Sequence, residues 1–133
     1  MVMERILAAI DARDGAAFAA HLTSDCDFRA PGFEATGPTP AWTWMKAFLD
    51  AFPDIQHRVV ASVATPSREA VEVSITGTHT APLVAANGEI APTGRAMTID
   101  ACDMLETDRD GLIRSYHIYF DQAGFLAQLG IGG

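Results

Sequence analysis

Asp110-Gly111-Leu112-Ile113-Arg114-Ser115-Tyr116-His117-Ile118-Tyr119-Phe120-Asp121 reads as a reverse turn followed by one long strand, Leu112 to Phe120. Asp-Gly favours a tight hairpin, because glycine accepts the positive φ that such turns need. Side chains along a strand alternate between two faces. Strict alternation puts Leu112, Arg114, Tyr116, Ile118 and Phe120 on one face and Ile113, Ser115, His117, Tyr119 and Asp121 on the other. The second face carries an imidazole, a phenol and a carboxylate in a row, each about 7 Å from the next. All three move protons. On a concave apolar wall they make a site, and on a solvated face they are idle.

Working outward, Arg68 to Ala81 is the cleanest strand. Val71, Val73, Ile75, Gly77 and His79 share one face, and Glu72, Ser74, Thr76, Thr78 and Thr80 the other. His79 therefore extends an apolar face. Gly77, two residues earlier, removes side-chain bulk and would leave room for a ligand. Ile55 to Ala64 also alternates, with Ile55, His57, Val59, Ala61 and Val63 together. Arg95 to Glu106 is a further strand whose alternation is muddled, so the faces of Asp100 and Asp103 are not assigned and a bulge is expected. Pro82 to Thr93 reads as a loop with an Asn87-Gly88 turn.

Helices are expected at the two ends and once between. Val2 to Arg13 has Ile6, Leu7 and Ile10 on one side. Asp14 caps Gly15 to Leu22. A short strand, Cys26 to Arg29, and a loop, Glu34 to Pro38, lead to a helix capped by Thr39 with Pro40 at its first position, running to about Ala51. Trp44, Met45, Phe48 and Phe52 line one stripe of it, broadened by Trp42 and Leu49. Most of these are expected in the core, with one or two aromatics walling a pocket. Pro53 ends the helix at Phe52. Gln122 to Leu129 closes the chain, with Gly130 as its stop. Helices first and hairpin-linked strands after make one α+β domain over residues 1–133: an antiparallel sheet curved around the N-terminal helices as a cone, with an internal apolar pocket.

Composition narrows the function. The 133 residues are 49% apolar, enough for a sizeable core, and the net charge of −8 disfavours nucleic acid or an anionic membrane surface as partner. Cys26 and Cys102 form no CxxC pair and stand near no ligand-like histidine cluster, so zinc is not expected and reduced thiols in a cytoplasmic protein are. No apolar run reaches transmembrane length, and the first residues lack a signal-peptide pattern. No phosphate loop, nucleophile elbow or HExxH occurs.

Three residues are candidates for catalysis: Asp121, His79 and His117. A carboxylate among aromatics at an inward strand end would have a raised pKa and act as general acid or base. Asp121 also stands just before a helix, where aspartate is a favoured cap, and both roles are compatible. His117 polarises a carbonyl or relays a proton if its face is inward, with Tyr119 beside it as a substrate-binding group. Trp42, Trp44, Phe48 and Phe52 supply candidate apolar contacts to substrate. His57 and His21 read as structural or exposed, and Asp54 as a turn residue.

Four short motifs carry a resemblance: Phe52-Pro53-Asp54-Ile55, Gly77-Thr78-His79-Thr80, Asp110-Gly111-Leu112-Ile113 with Asp121, and Gln128-Leu129-Gly130. In order and spacing the chain resembles the SnoaL-like polyketide cyclases of the nuclear-transport-factor-2-like superfamily, which also holds ketosteroid isomerase and scytalone dehydratase. The resemblance spans nearly the whole chain. It implies an α+β cone, a homodimer packed through the sheet, no cofactor and no metal. It also implies a small hydrophobic substrate, an acid/base role in aldol ring closure for Asp121, and a pocket-facing His79. Ala81 stands where the family often has glycine. Lyase or isomerase chemistry of this kind competes with two other readings. One is a hydrolase or dehydratase using Asp121, His79 and His117 on water. The other is a non-catalytic binding or dimerisation module, for which Asp121 would point at the closing helix and away from the cavity.

Overall fold

The computed structural model describes residues 1–85 and 88–132, so the Asn87 half of the expected turn lies outside it. Its elements in order are α1 (Val2–Asp11), α2 (Gly15–Ala20), β1 (Leu22–Ala30), β2 (Phe33–Thr36), α3 (Pro38–Ala51), β3 (Gln56–Ala64), β4 (Arg68–Thr78), β5 (Leu83–Ala85), β6 (Gly88–Ile90), β7 (Ala96–Thr107), β8 (Ile113–Tyr119) and α4 (Gln122–Gln128). Six strands form one curved sheet in the order β2-β1-β8-β7-β4-β3, and β5-β6 is a separate hairpin. The helices cover its concave face, and the core lies between. This is the expected α+β cone, with one change: β1 runs parallel to β8, so the sheet is mixed.

The corrections to individual elements have local causes. β1 is longer than the Cys26-to-Arg29 segment, because Leu22 already pairs with Ile113 of β8. Residues 34–36, expected in a loop, form β2 against β1, and the 82–93 loop contains the β5-β6 ladder. Strands of three or four residues are too short to show a period. α3 begins at Pro38, one residue before Thr39, with Gly37 as its N-cap at φ +92. A Cβ on Gly37 would stand 2.9 Å from the Ser24 carbonyl oxygen, so only glycine fits there.

Three of the resembling motifs turn out to be clamps. Asp54 accepts the Thr78 amide at 2.7 Å and the Thr78 hydroxyl at 2.9 Å, tying the turn after α3 to the end of β4. These bonds hold its carboxyl below the usual range. Gln128 accepts the Thr98 amide at 2.7 Å and donates to the Thr98 carbonyl at 2.9 Å, docking α4 on β7 as a neighbouring strand would. Gly77 makes room for a side chain rather than for a ligand: a Cβ there would lie 3.2 Å from the Phe52 Cβ. A fourth clamp has no motif. Glu69 of β4, buried, accepts the Val2 amide at 2.9 Å and the Met3 amide at 3.0 Å, which caps α1 from across the core.

Candidate active site

The concave face of the sheet meets α1 and α3 around an apolar cavity of about 40 Å³, room for a few waters at ~10–15 Å³ each. α1 contributes Leu7 and Ile10, and α3 contributes Trp44, Met45 and Phe48. The sheet contributes Met97, Ile99, Ile118 and Phe120, among others. Two of the lining side chains, Met45 and Met97, are unbranched and adapt at low cost to a larger occupant. The lining has three polar members: Asp103, Tyr116 and His57.

β7 explains the presence of Asp103. Met97, Ile99, Ala101, Asp103 and Leu105 all face inward, and the ladder to β4 runs without a break from Ala96 to Glu106. The expected bulge is absent from that ladder. The muddle in the sequence is a regular strand with a carboxyl group at one inward position. Asp103 is 5% exposed. Its Oδ2 accepts one hydrogen bond, from the Tyr116 hydroxyl at 3.3 Å, and Oδ1 has no protein partner among the described residues. The bond is long for O–H···O. Burial therefore dominates and pushes the Asp103 carboxyl up to about 7, against a smaller opposing pull from Tyr116. Tyr116 is fully buried, packed edge-on to Phe28 at 5.4 Å, and burial raises its phenol well above the ordinary range, with the Asp103 charge adding to the shift. At neutral pH the pair offers a carboxyl near half-protonation and a neutral hydroxyl.

The faces of β8 run opposite to the reading that made His117, Tyr119 and Asp121 a site. Tyr116, Ile118 and Phe120 line the cavity. The buried Ile113 is brought to the same side by a register shift between Ile113 and Ser115. His117 stands on the outer face, where Nε2 lies 3.1 Å from both Asp27 Oδ2 and Ser115 Oγ. That contact, with Arg29 adding to it, holds the Asp27 carboxyl below its usual range. Tyr119 is 57% exposed and edge-on to His117. Asp121 is exposed, lines no part of the cavity, and accepts the Gly124 amide at 2.9 Å as the N-cap of α4. Its capping role is the one the geometry supports. In direction it is also the arrangement expected of a non-catalytic module.

His79 is fully buried but lies away from the cavity, stacked on Phe52 at 5.2 Å. Its Nδ1 accepts the Thr93 amide at 3.2 Å and lies 3.0 Å from the Thr93 hydroxyl. Nδ1 is thus an acceptor, Nε2 carries the proton, and that buried Nε2 has no partner in hydrogen-bond geometry among the described residues. Burial lowers the imidazole pKa, against a smaller opposing effect of the Ala81 backbone. Of the four aromatics assigned to substrate, Trp44 and Phe48 line the cavity. Trp42 instead packs on Phe18 at 5.2 Å and over Gly15, and Phe52 fills the space beside Gly77.

His57 was missed as a site residue, although its signal was present: it shares a face with Ile55 and Val59. Its side chain is 6% exposed, lines the cavity, and has Nδ1 2.9 Å from Asp11 Oδ1 at the end of α1. Tyr116 was legible on the same grounds, sharing a face with Ile118 and Phe120. No group of three or more metal-ligating side chains occurs among the described residues, and no helix among them is long and apolar enough to cross a membrane.

A curved mixed sheet closed by helices is the cone-shaped α+β fold of the ketosteroid-isomerase-like and nuclear-transport-factor-2-like type. The model of the SnoaL-like domain matches residues 3–116, and the chain belongs to that family. It superimposes on AclR, a candidate hydroxylase from Streptomyces galilaeus, with a TM-score of 0.80, 22% identity, and coverage of 97% of this chain and 78% of that one. IdmH, a candidate polyketide cyclase from Streptomyces antibioticus, gives 0.78, 21%, 98% and 96%. An LEH-like epoxide hydrolase from M. tuberculosis gives 0.70, 19%, 98% and 88%. At these identities the likeness is one of fold. No curated protein matches the chain.

Proposed function

We propose that the chain is an acid–base enzyme of the lyase, isomerase or cyclase kind. It acts on a small apolar carbonyl compound, with Asp103 as general acid/base and Tyr116 beside it. The observation that carries this reading is Asp103 itself. A carboxyl group in an apolar cavity, with one long hydrogen bond and a pKa near 7, is poorly justified as packing and well suited to proton transfer. Nothing in this chemistry calls for a cofactor. Trp44 and Phe48 hold the apolar body of the ligand. Exchange of the C1 protons of 2-tetralone in D2O, followed by NMR, is the test. The wild type exchanges them faster than buffer and Asp103→Asn does not. A variant as fast as wild type sinks the assignment.

A non-catalytic binding module is the second reading, favoured by the cap geometry of Asp121. It expects 2-tetralone to bind without exchange. A hydrolase would instead open an epoxide such as styrene oxide and leave labelled oxygen from water in the diol product.

The proposal includes a second copy of the chain, docked through the outer face of the sheet. Register aligns Val63, Ala70 and Met104 across β3, β4 and β7 on that face, where Val63 is 71% and Met104 37% exposed. Light scattering at micromolar concentration should give a dimer for wild type and a monomer for Met104→Glu. A monomeric wild type ends this part of the reading.

A further inference from the structure

The cavity has a polar group that the Asp103 reading leaves unused. His57 lies on β3 opposite Ile75 of β4, which in turn pairs with Ile99 of β7. Asp103 is two inward positions further along β7. Two strand spacings put the residues about 10 Å apart across the sheet, and four residues put them about 13 Å apart along it, less what curvature removes. The two side chains are too far apart to bond to each other, yet both line one small cavity. A ligand between them meets both.

Asp11 fixes what His57 can do. A half-exposed carboxylate only accepts hydrogen bonds, so His57 Nδ1, 2.9 Å away, must carry the ring proton in the neutral form. Nε2 is left as the unprotonated nitrogen, with no hydrogen-bond partner among the described residues. This is the reverse of His79, whose Nδ1 accepts and whose Nε2 bears the proton. Only one of the two histidines offers a base to the cavity.

We propose that His57 is a second catalytic residue, with Asp11 as the positioning residue that sets its tautomer, and that the two walls divide the proton transfer. The inference rests on the Asp103 reading and deepens it. His57 Nε2 removes a proton from the carbon next to a carbonyl. The C–H electron pair moves into the new C=C bond, and the carbonyl π pair moves to oxygen. Protonated Asp103 gives its proton to that oxygen. The product is the enol, with His57 as imidazolium and Asp103 as carboxylate. Return of a proton from His57 to carbon, and of the enol proton to Asp103, completes an exchange or an isomerisation with no net oxidation. The substrate class is therefore a ketone with an acidic neighbouring C–H and an apolar body, reaching from β3 to β7.

The test uses 2-tetralone exchange together with the ring-nitrogen NMR spectrum of His57. His57→Asn keeps a donor near Asp11 and removes Nε2, so the fold survives. The exchange rate is expected to fall by roughly 10²-fold or more. Asp11→Asn is expected to cost less and to shift the His57 tautomer away from Nδ1–H, which a merely structural contact to the surface would not couple to the rate. Loss of exchange in both Asp103→Asn and His57→Asn supports the division. Loss in Asp103→Asn alone overturns the role of His57 and leaves the Asp103 reading standing. A wild-type rate no faster than buffer overturns both. A wild-type spectrum with the proton on Nε2 overturns the His57 role whatever the rates.

Discussion

Asp103, within β7, and Asp121, between β8 and α4, are held in opposite ways. Asp103 faces the cavity, almost without water, and receives one long hydrogen bond from Tyr116. Asp121 is exposed, and its charge is met by the first turn of α4. The first environment penalises the charged form, and the second uses the carboxylate as a helix cap. One carboxyl is therefore costly to the fold and chemically poised, while the other is helpful to the fold and chemically ordinary. A site is better sought where a polar group spoils an apolar pattern than where titratable groups happen to line up.

The contrast can be broken most directly by removing each charge in turn. Asp103→Asn is expected to lower proton exchange by about 10²–10⁴-fold, the range for loss of one general acid or base. Asp121→Asn is expected to leave it unchanged. Equal losses, measured by the 2-tetralone assay, would erase the distinction.

Stability against pH sharpens it further. In the unfolded chain Asp103 ionises near the ordinary aspartate value of 3.8, and in the fold at about 7. Between those values unfolding releases a proton, so the contribution of Asp103 to stability is full below about 4 and is lost as pH rises toward 7. The loss is on the order of 4 kcal/mol, from about three units at ~1.4 kcal/mol each. Denaturant titrations from pH 4 to 8 should show this fall with rising pH in wild type and lose it in Asp103→Asn, which keeps only the opposite slope of His79, whose lowered pKa costs stability as pH falls below its ordinary value of 6.5. Asp27, Asp54 and Glu106, whose pKa values are lowered in the fold, act with the opposite sign. Their contribution is lost only as pH falls through the acid range, so the two effects separate.

Two smaller tests concern the frame. Gly77→Ala places a Cβ 3.2 Å from Phe52, and thermal denaturation should register about 1–3 kcal/mol of overpacking with no change in ligand affinity. A loss of affinity would instead mean that the space had belonged to the pocket. Asp121→Ala should cost about 1 kcal/mol, the usual loss for a helix cap, visible as a lower midpoint in urea.

The frame was legible because its signals are local. Pro53 after α3, the turn at Asp110-Gly111 and the alternation of Val71, Val73 and Ile75 each decide a few neighbouring residues. The motifs that carried the family resemblance proved to be Asp54 on Thr78, Gly77 under Phe52 and Gln128 on Thr98, all of them joints between elements. The site was harder to read because its residues are polar members of otherwise apolar rows. Asp103 blurred the very alternation that would have placed it. His57 looked ordinary because its partner, Asp11, lies on another element. β8 misled for a different reason. Counting from Ile113 and counting from Ile118 give opposite faces, and only the ladder to β7 reveals the extra residue between Ile113 and Ser115.

That extra residue has a further consequence. Arg114 lies between two regular pairings, Ile113 with Thr107 and Ser115 with Glu106, and its guanidinium reaches out to Glu106. It resets the pleat: Ile113 and Tyr116, three positions apart, both turn inward, so one strand seals the core at the hairpin end and still presents Tyr116 to Asp103.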